Sequence, residues 1–317
     1  MPNSYAAVIL PASDEPVTQA LRRKKLRYLK ERAIEIVLLF SGLVAVFTTI
    51  AITAILVYES IGFFEQVSIV EFLTSKFWTP LFSDPKYGIL PLVSGTLTVT
   101  FIALAVAIPM GTIIAIYLSE FAPHPAREVI KPVLELIQAV PTIVFGYFAL
   151  LFVTPLLQAT ILPGLPGFNM LSAGLVIGVA TTPTIASLAE DAMRAVPMYM
   201  REGAYAVGST KLQVAIKIVT PAALSGVIAA YVLAAARAIG ETMIVAIAAG
   251  QNTVFTFNPM DAAATLTAYI AQVSLGDLPH GSIGYRSLFA AGLMLLLMTL
   301  VLNIAGHLLR RRYREAY

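Results

Sequence analysis

The chain has 317 residues, of which 58% are hydrophobic and 12% charged. Soluble domains carry about 25% charged residues, so these few charges cannot cover a water-facing surface and a water-soluble globular protein is excluded. Cysteine is absent, which excludes disulfides, thiol catalysis and cysteine–zinc sites. The net charge of +3 follows from where the basic residues anchor the ends of apolar segments, and it does not indicate a nucleic-acid partner.

Residues 1–20, with Pro2, Pro11 and Pro16, read as a flexible tail, and 21–33 as a basic helix on a membrane surface. Positive-inside anchoring accounts for that basic run, with regulation as the alternative. A bilayer core of about 30 Å takes about 20 apolar residues of helix, and runs of that length recur. The first is predicted over 36–58, an uncleaved signal anchor because no cleavable signal precedes it. A long outer loop, 59–86, then carries Phe63, Phe64, Phe72, Phe77, Trp78 and Phe82 among acids. Such aromatics either anchor at the interface or dock a soluble partner. The second span is predicted over 87–119. No charge occurs between Glu135 and Glu190, which is room for two spans turned by the breakers from Thr154-Pro155 to Gly167. The fifth runs from Ile218 or Leu224 to Ala249. In the second outer loop, 251–285, the piece 262–273 is too short to span and is re-entrant or interfacial. The sixth span covers 287–309. Pro109, Pro141 and Pro183 fall within spans and are expected to bend them. The fold class is therefore an all-α integral membrane protein with six transmembrane helices over 34–309, flanked by basic tails 1–33 and 310–317.

Lys and Arg set the orientation. With the N-terminus in the cytosol, the cytosolic side holds the cluster from Arg22 to Arg32, then Arg127, Lys131, Arg194, Arg201, Lys211 and Lys217, then Arg310, Arg311, Arg312 and Arg314. Only Lys76, Lys86 and Arg286 fall outside, and Arg237 lies within a span. Both termini are expected in the cytosol, where the basic ends also suit anionic membrane lipids.

Two segments stand out. The polar stretch 194–221 between the fourth and fifth spans spaces Glu202, Ala204, Gly208, Ile218 and Pro221 as E-x-A-x-x-x-G, nine residues, then I-x-x-P. A hydrophilic helix–turn–helix there gains little from lipid and suits a soluble partner. The fifth span carries Arg237 and Glu241 near its middle. A charge at the bilayer centre costs about 2.5–3.5 kcal/mol, and the i, i+4 spacing places both on one helix face, where they can pair. A structural ion pair is one use of them. The other is a stop for an anionic solute, since the planar guanidinium donates two parallel hydrogen bonds to an oxyanion. Glu241 then neutralises the empty site or accepts a proton from the solute, which hydrogen phosphate can donate and sulfate cannot. Gly226, Ala230, Ala234, Ala238, Thr242, Ala246 and Gly250 recur every four residues, a stripe that admits a close helix within the chain or in a second subunit. Gln138 and Thr142, also i, i+4, line a polar path or bond between helices, as do Thr181 and Thr182.

There is no G-x-x-x-x-G-K-[ST], H-E-x-x-H or G-x-S-x-G motif, so neither a P-loop ATPase nor a hydrolase site is indicated. His124, His280 and His307 are too scattered for a metal set, and no cofactor is expected.

The spacing from Glu202 to Pro221 resembles the signature segment of permease subunits of bacterial ABC importers, with Gly203 where the first Ala of E-A-A is usual. The run from Arg237 through Gly240, Glu241, Thr242 and Met243 resembles the PstC family of phosphate permeases. So do Leu134-Glu135-Leu136, the run from Pro141 to Gly146, and Ser119-Glu120-Phe121-Ala122-Pro123. The sister PstA family continues its G-E-T with Ala-Pro, which is absent here. The resemblance implies a type I ABC importer permease architecture in the bacterial inner membrane, with a cytosolic coupling helix. Glu202, Ala204, Gly208, Ile218 and Pro221 would shape the ATPase contact. Arg237, Glu241, Thr242, Gln138 and Thr142 would line an alternating-access pathway for phosphate. The implied partners are a PstA-like sister permease, a dimer of PstB-like ATPase subunits and a soluble PstS-like phosphate-binding protein. An importer of another oxyanion, such as molybdate or sulfate, fits the same residues, and an autonomous channel or ion-driven carrier remains open.

Overall fold

The computed structural model describes residues 17–312; of the tail expected over 1–20, residues 1–16 lie outside the described residues, as do 313–317 with Arg314, while 17–20 are helical. The described chain is helical because lipid offers the backbone no partners, and a helix satisfies its own. In order come α1 (Val17–Phe64), α2 (Ile69–Thr74), α3 (Leu90–Ile116) and α4 (His124–Ala139). Next are α5 (Thr142–Phe148), α6 (Thr154–Thr160), α7 (Met170–Arg194), α8 (Met198–Ala206) and α9 (Lys211–Val214). The last are α10 (Thr220–Ala222), α11 (Leu224–Ile239), α12 (Met243–Ala248), α13 (Leu266–Gln272) and α14 (Ile283–Arg312). Wider π-type turns, Tyr117–Phe121, Ala149–Val153, Ala215–Val219 and Val273–Asp277, follow α3, α5, α9 and α13. Among the described residues the only β pairings are isolated bridges, Phe77 with Val254 and Trp78 with Tyr87.

Five stretches are long and apolar enough to cross a bilayer: Lys30–Phe64, Leu90–Phe121, Thr142–Thr160, Met170–Arg194 and Ile283–Arg312. The bent pair Lys211–Ala222 and Leu224–Ile239, angled by 73°, makes a sixth. The sequence expectation of six spans holds, with three corrections. The helix of the first span starts at Val17 and takes in 21–33, which was expected as a separate surface helix, and it continues to Phe64. The third span runs through Thr154-Pro155: the wider turn Ala149–Val153 leads directly into α6, with Val153 and Thr154 both in helical conformation. The fifth is interrupted after Ile239 instead of continuing to Ala249. Of the three span prolines, Pro109 and Pro183 sit inside continuous helices, while Pro141 stands at the boundary between α4 and α5.

The chain divides into two compact units at Ile55 and Leu56. In the first, Ile36, Leu39, Leu43 and Phe47 of α1 are exposed, as a lipid-facing helix requires. In the second, α3 and α7 run parallel and unusually close. Gly174 faces Ile102, Gly178 faces Val106 and Gly111 faces Ile185, and a β-carbon at any of the three would come within 2.8 Å of those side chains. Small residues at such contacts let backbones approach and gain dispersion contacts where lipid supplies no hydrophobic drive. The four-residue stripe of α11 is used inside the chain. Gly226 abuts Ala192 of α7, Ala230 packs with Ala189 and Met193, and Ala234 with Ala107 and Ile185. On its other side Val232 abuts Gly306 of α14, and the Tyr231 hydroxyl lies 2.6 Å from Thr112 Oγ1 of α3.

The short apolar piece expected as re-entrant or interfacial forms α13, whose Leu266, Ala268 and Tyr269 are buried. Thr265 caps it by accepting from the Ala268 amide at 3.2 Å, and Leu266 N donates to Thr96 Oγ1 of α3 at 3.0 Å. Phe63, Phe72 and Trp78, expected at the interface or on a docking surface, are instead buried. They stack edge-to-face with one another and with Tyr87 and Tyr269, Trp78 and Tyr269 lying 5.0 Å apart. Only Phe77 and Phe82 of the loop's large aromatics are fully exposed.

Gly178→Ala places its β-carbon 2.7 Å from Val106 Cβ and 2.8 Å from the Ala103 carbonyl, so it is expected to destabilise the purified protein by about 1–3 kcal/mol. Gly167→Ala, which meets open space, serves as control. Thermal unfolding in detergent measures both, and equal melting temperatures would contradict the close α3–α7 contact.

Candidate functional site

The interruption of the fifth span is built by its own side chains. After Ile239, Glu241 Oε1 accepts from the amides of Thr242 (3.1 Å), Met243 (3.2 Å) and Ile244 (3.4 Å). These are the donors that a new helix start leaves without intrahelical partners. Thr242 Oγ1 turns back to the Gly240 carbonyl at 3.1 Å. From α13, Thr267 Oγ1 donates to the Glu241 carbonyl at 2.7 Å. The break is thus held from within and by a neighbour.

This changes the expected relation between the two charges. The i, i+4 spacing puts Arg237 and Glu241 on one face only if the helix continues, and it ends between them. The carboxylate goes to the α12 amides, and among the described residues no ion pair joins it to Arg237. The guanidinium, half-buried in the last turn of α11, donates from Nη1 to Thr184 Oγ1 of α7 at 2.9 Å. Its partner is neutral, so a cation sits in a span with its charge uncompensated by an acid.

Gln138 and Thr142 are also separated. Val140 and Pro141 interrupt the helix, so Gln138 ends α4 and Thr142 begins α5, each half-buried. α5 lies against α12: a β-carbon at Gly146 would come within 3.0 Å of Ile247 and 3.2 Å of the Met243 carbonyl. Thr142 therefore belongs to the helix that packs beside the break. Thr181 and Thr182 are buried in α7, with Thr182 Oγ1 donating to its own helix at Gly178 O, 2.8 Å away. Thr184 instead makes the contact with Arg237. Its signal was its place two residues past Thr182, on the far side of Pro183.

The segment 194–221 folds as the expected helix–turn–helix. Gly208 takes φ +85° between α8 and α9, a left-handed conformation costly for residues with a β-carbon. Thr210 and Gln213 form a reciprocal capping box on α9. Glu202, Gly208 and Pro221 are exposed, Ile218 is half-buried, and Ala204 is buried against Val196, Met193 and Val214. The residue beside Glu202 does what the sequence did not signal. Arg201 is buried, and its guanidinium reaches Glu120 Oε1 at 3.0 Å, the Val196 carbonyl at 2.5 Å and the Met193 carbonyl at 2.9 Å. It ties α8 to the turn after α3 and to the end of α7.

A second ionic strap joins α4 to α7. Glu190 is 0% exposed. Arg127 Nη2 lies 2.8 Å from its Oε1, a close charge contact rather than an aligned hydrogen bond. Lys131 Nζ lies 2.9 Å from Oε2 and 2.8 Å from Asp191 Oδ1. Burial pulls the Lys131 ammonium down, but the hydrogen bonds and charges of Asp191 and Glu190 outweigh it and raise its pKa above the usual lysine value. Arg127 and Lys131 stand four apart on α4 and so share a face, which was the available sequence signal for this strap.

The sequence profile of the family described as binding-protein-dependent transport system inner membrane component matches residues 107–315. The probable ABC transporter permease protein YqgH of Bacillus subtilis (strain 168) is 37% identical over 260 residues, covering 81% of this chain and 84% of that protein. The phosphate transport system permease protein PstC of Mesorhizobium japonicum is 34% identical over 262 residues, covering 76% and 78%. Among solved structures, a bacterial alginate ABC transporter in complex with an alginate pentasaccharide-bound periplasmic protein superposes with a TM-score of 0.60. At 17% identity, the match covers 96% of this chain and 100% of the matched chain. The fold is that of type I ABC importer permeases.

Arg201→Met leaves Glu120 buried without its cation and is expected to cost about 3–5 kcal/mol. Adding Glu120→Leu should recover much of it, as read by thermal unfolding; two independent losses that simply add would sink the strap. A raised folded-state pKa means that the Lys131 link contributes fully below the unfolded value and is lost only as pH rises through the shifted one. The melting-temperature gap between the parent and Lys131→Gln should stay constant from about pH 6 to about pH 9 and close only above the ordinary lysine value of roughly 10.4.

Proposed function

We propose that this chain, which belongs to the family of binding-protein-dependent transport system inner membrane components, is the pathway-forming permease subunit of an ATP-driven phosphate importer. The observation that carries the substrate class is Arg237: a half-buried guanidinium within a span, hydrogen-bonded to a hydroxyl and, among the described residues, without an ion pair. Intramembrane charge of this kind marks a solute path, and a guanidinium matches an oxyanion through parallel donors. The name of the Mesorhizobium japonicum relative supports phosphate as that oxyanion. Glu241, with Oε1 committed to the α12 amides, keeps a negative charge one helix break away. It limits how tightly an anion is held and can accept a hydrogen bond from a protonated phosphate, which sulfate cannot give. Thr242, Thr142 and Gln138 complete the polar lining on this proposal.

The chain is an ABC importer permease, so ATP hydrolysis falls to partners: a PstB-like ATPase dimer docks on Glu202, Ala204, Gly208, Ile218 and Pro221. A PstS-like binding protein delivers phosphate on the opposite side, and a PstA-like sister permease closes the pathway. Both termini then face the cytosol. Closure of the ATPase dimer would reach the spans through Arg201 and Glu120, and α4 would follow α7 through Glu190, giving alternating access.

Uptake of labelled phosphate by the assembled importer tests this. Arg237→Gln should lower uptake at least about tenfold, the scale of one lost charge-assisted contact, while ATPase docking persists on copurification. Excess sulfate or molybdate should compete poorly. Strong competition by sulfate would move the substrate to another oxyanion, and undiminished ATP-free transport by the single subunit in vesicles would replace the importer with a channel or carrier.

A further inference from the structure

Away from the Arg237 break, α11 and α14 line two adjoining open cavities. One, of about 480 Å³, is lined by Ser225, His307, Arg310 and Arg311. The other, of about 300 Å³, continues between Ala229, Val232 and Leu233 of α11 and Gly306 and Asn303 of α14, and shares His307 and Arg310 with the first. The shared end is basic, with no acid among the described residues that line it. Arg310 Nη2 lies 3.3 Å from His307 Nδ1, and among the described residues neither Arg310 nor Arg311 has an ion pair. The continuation is largely apolar, with Leu233 exposed.

Cations at a helix C-terminus are commonly explained by the free carbonyls of the last turn and by anchoring at the membrane surface. Neither requires a cavity, and neither explains why an apolar groove leads from the cations along the same two helices. A phosphodiester headgroup joined to an acyl chain matches both halves, and basic pockets between membrane helices take anionic headgroups. We propose that this site binds an anionic phospholipid, with its headgroup phosphate against Arg310 and Arg311 and one acyl chain along Ala229, Val232 and Leu233. A lipid seated there braces the start of α11, the helix that bends by 73° from α9–α10 and carries Arg237 in its last turn. The site is independent of which solute is transported.

The test is native mass spectrometry of the delipidated intact chain, with any subunits that copurify, titrated with phosphatidylglycerol, phosphatidylcholine or inorganic phosphate. Phosphatidylglycerol should bind about 10- to 30-fold tighter than phosphatidylcholine, the scale of two surface cations. Arg310→Gln with Arg311→Gln should remove that preference. Ala229→Phe should weaken phosphatidylglycerol binding without changing charge, and Arg312→Gln, outside the lining, should leave it unaltered. Equal binding of the two lipids overturns the site, as do displacement of phosphatidylglycerol by millimolar inorganic phosphate and an unchanged preference in the double variant. Should the double variant fail to assemble, the lipid comparison on the parent and the Ala229→Phe result decide.

Discussion

The three hydrogen bonds that Glu241 Oε1 accepts from the amides of Thr242, Met243 and Ile244 are the constraint on which the centre of this molecule depends. A carboxylate in an apolar span must find donors or neutralise. Arginine four residues earlier offers one solution and the exposed amides of a new helix offer another. The chain takes the second, which requires ending α11. Once α11 ends, Arg237 and Glu241 no longer share a helix face, the Glu241 carbonyl becomes available to Thr267, and Gly146 of α5 can close on Met243 and Ile247. One capping interaction thus accounts for the break, for the uncompensated cation and for the seating of two neighbouring elements.

The polar end of the bundle follows a different rule. Glu120 and Glu190 are both buried, and burying a carboxylate costs several kcal/mol unless cations and donors offset it. Arg201 answers Glu120 and draws two carbonyls with it; Arg127 and Lys131 answer Glu190. Such pairs add little net stability compared with apolar packing, but losing one partner is expensive. They therefore suit a place where helices must move together, and both straps end on α7 or its C-terminal carbonyls. α7 also packs closely on α3 through Gly111, Gly174 and Gly178. A displacement of α8 in the proposed importer would be shared by α7 and α3 before it reached α11.

Much of this was legible from residue order. Hydropathy located each span, the spacing from Glu202 through Gly208 to Pro221 marked the helix–turn–helix, and the piece 262–273 read as too short to cross. What escaped has physical causes. An i, i+4 pattern assumes an unbroken helix, and nothing local distinguishes a Gly-Glu-Thr that continues from one that caps. Phe63, Phe72 and Trp78 looked like interface anchors because aromatics among acids in an outer loop favour that position, yet Tyr269 of α13 packs on Trp78 and helps bury the cluster. Arg194, four residues on, is one partner of Glu190, but Arg127 and Lys131 are some 60 residues distant, and only the fold brings α4 to α7. The placement of the chemistry-bearing residues was thus readable, and their pairing was not.

An uncompensated arginine raises a question of degree. A fully paired Arg237 would present a neutral site, and an anion would have to break an ion pair to bind, a loss comparable to what the new contact returns. An arginine with no counter-charge in reach would hold an oxyanion strongly in a water-poor channel, where a pair of unit charges interacts several-fold more strongly than in bulk water, and turnover would suffer. The arrangement here lies between these limits. Thr184 fixes the guanidinium by one hydrogen bond that leaves its other donors open, and Glu241 is pinned beyond the break, close enough in sequence to oppose an anion but prevented from quenching the cation. On the proposed pathway, a site that must load and unload in every cycle requires that intermediate strength, which would be set by which backbone amides the carboxylate prefers.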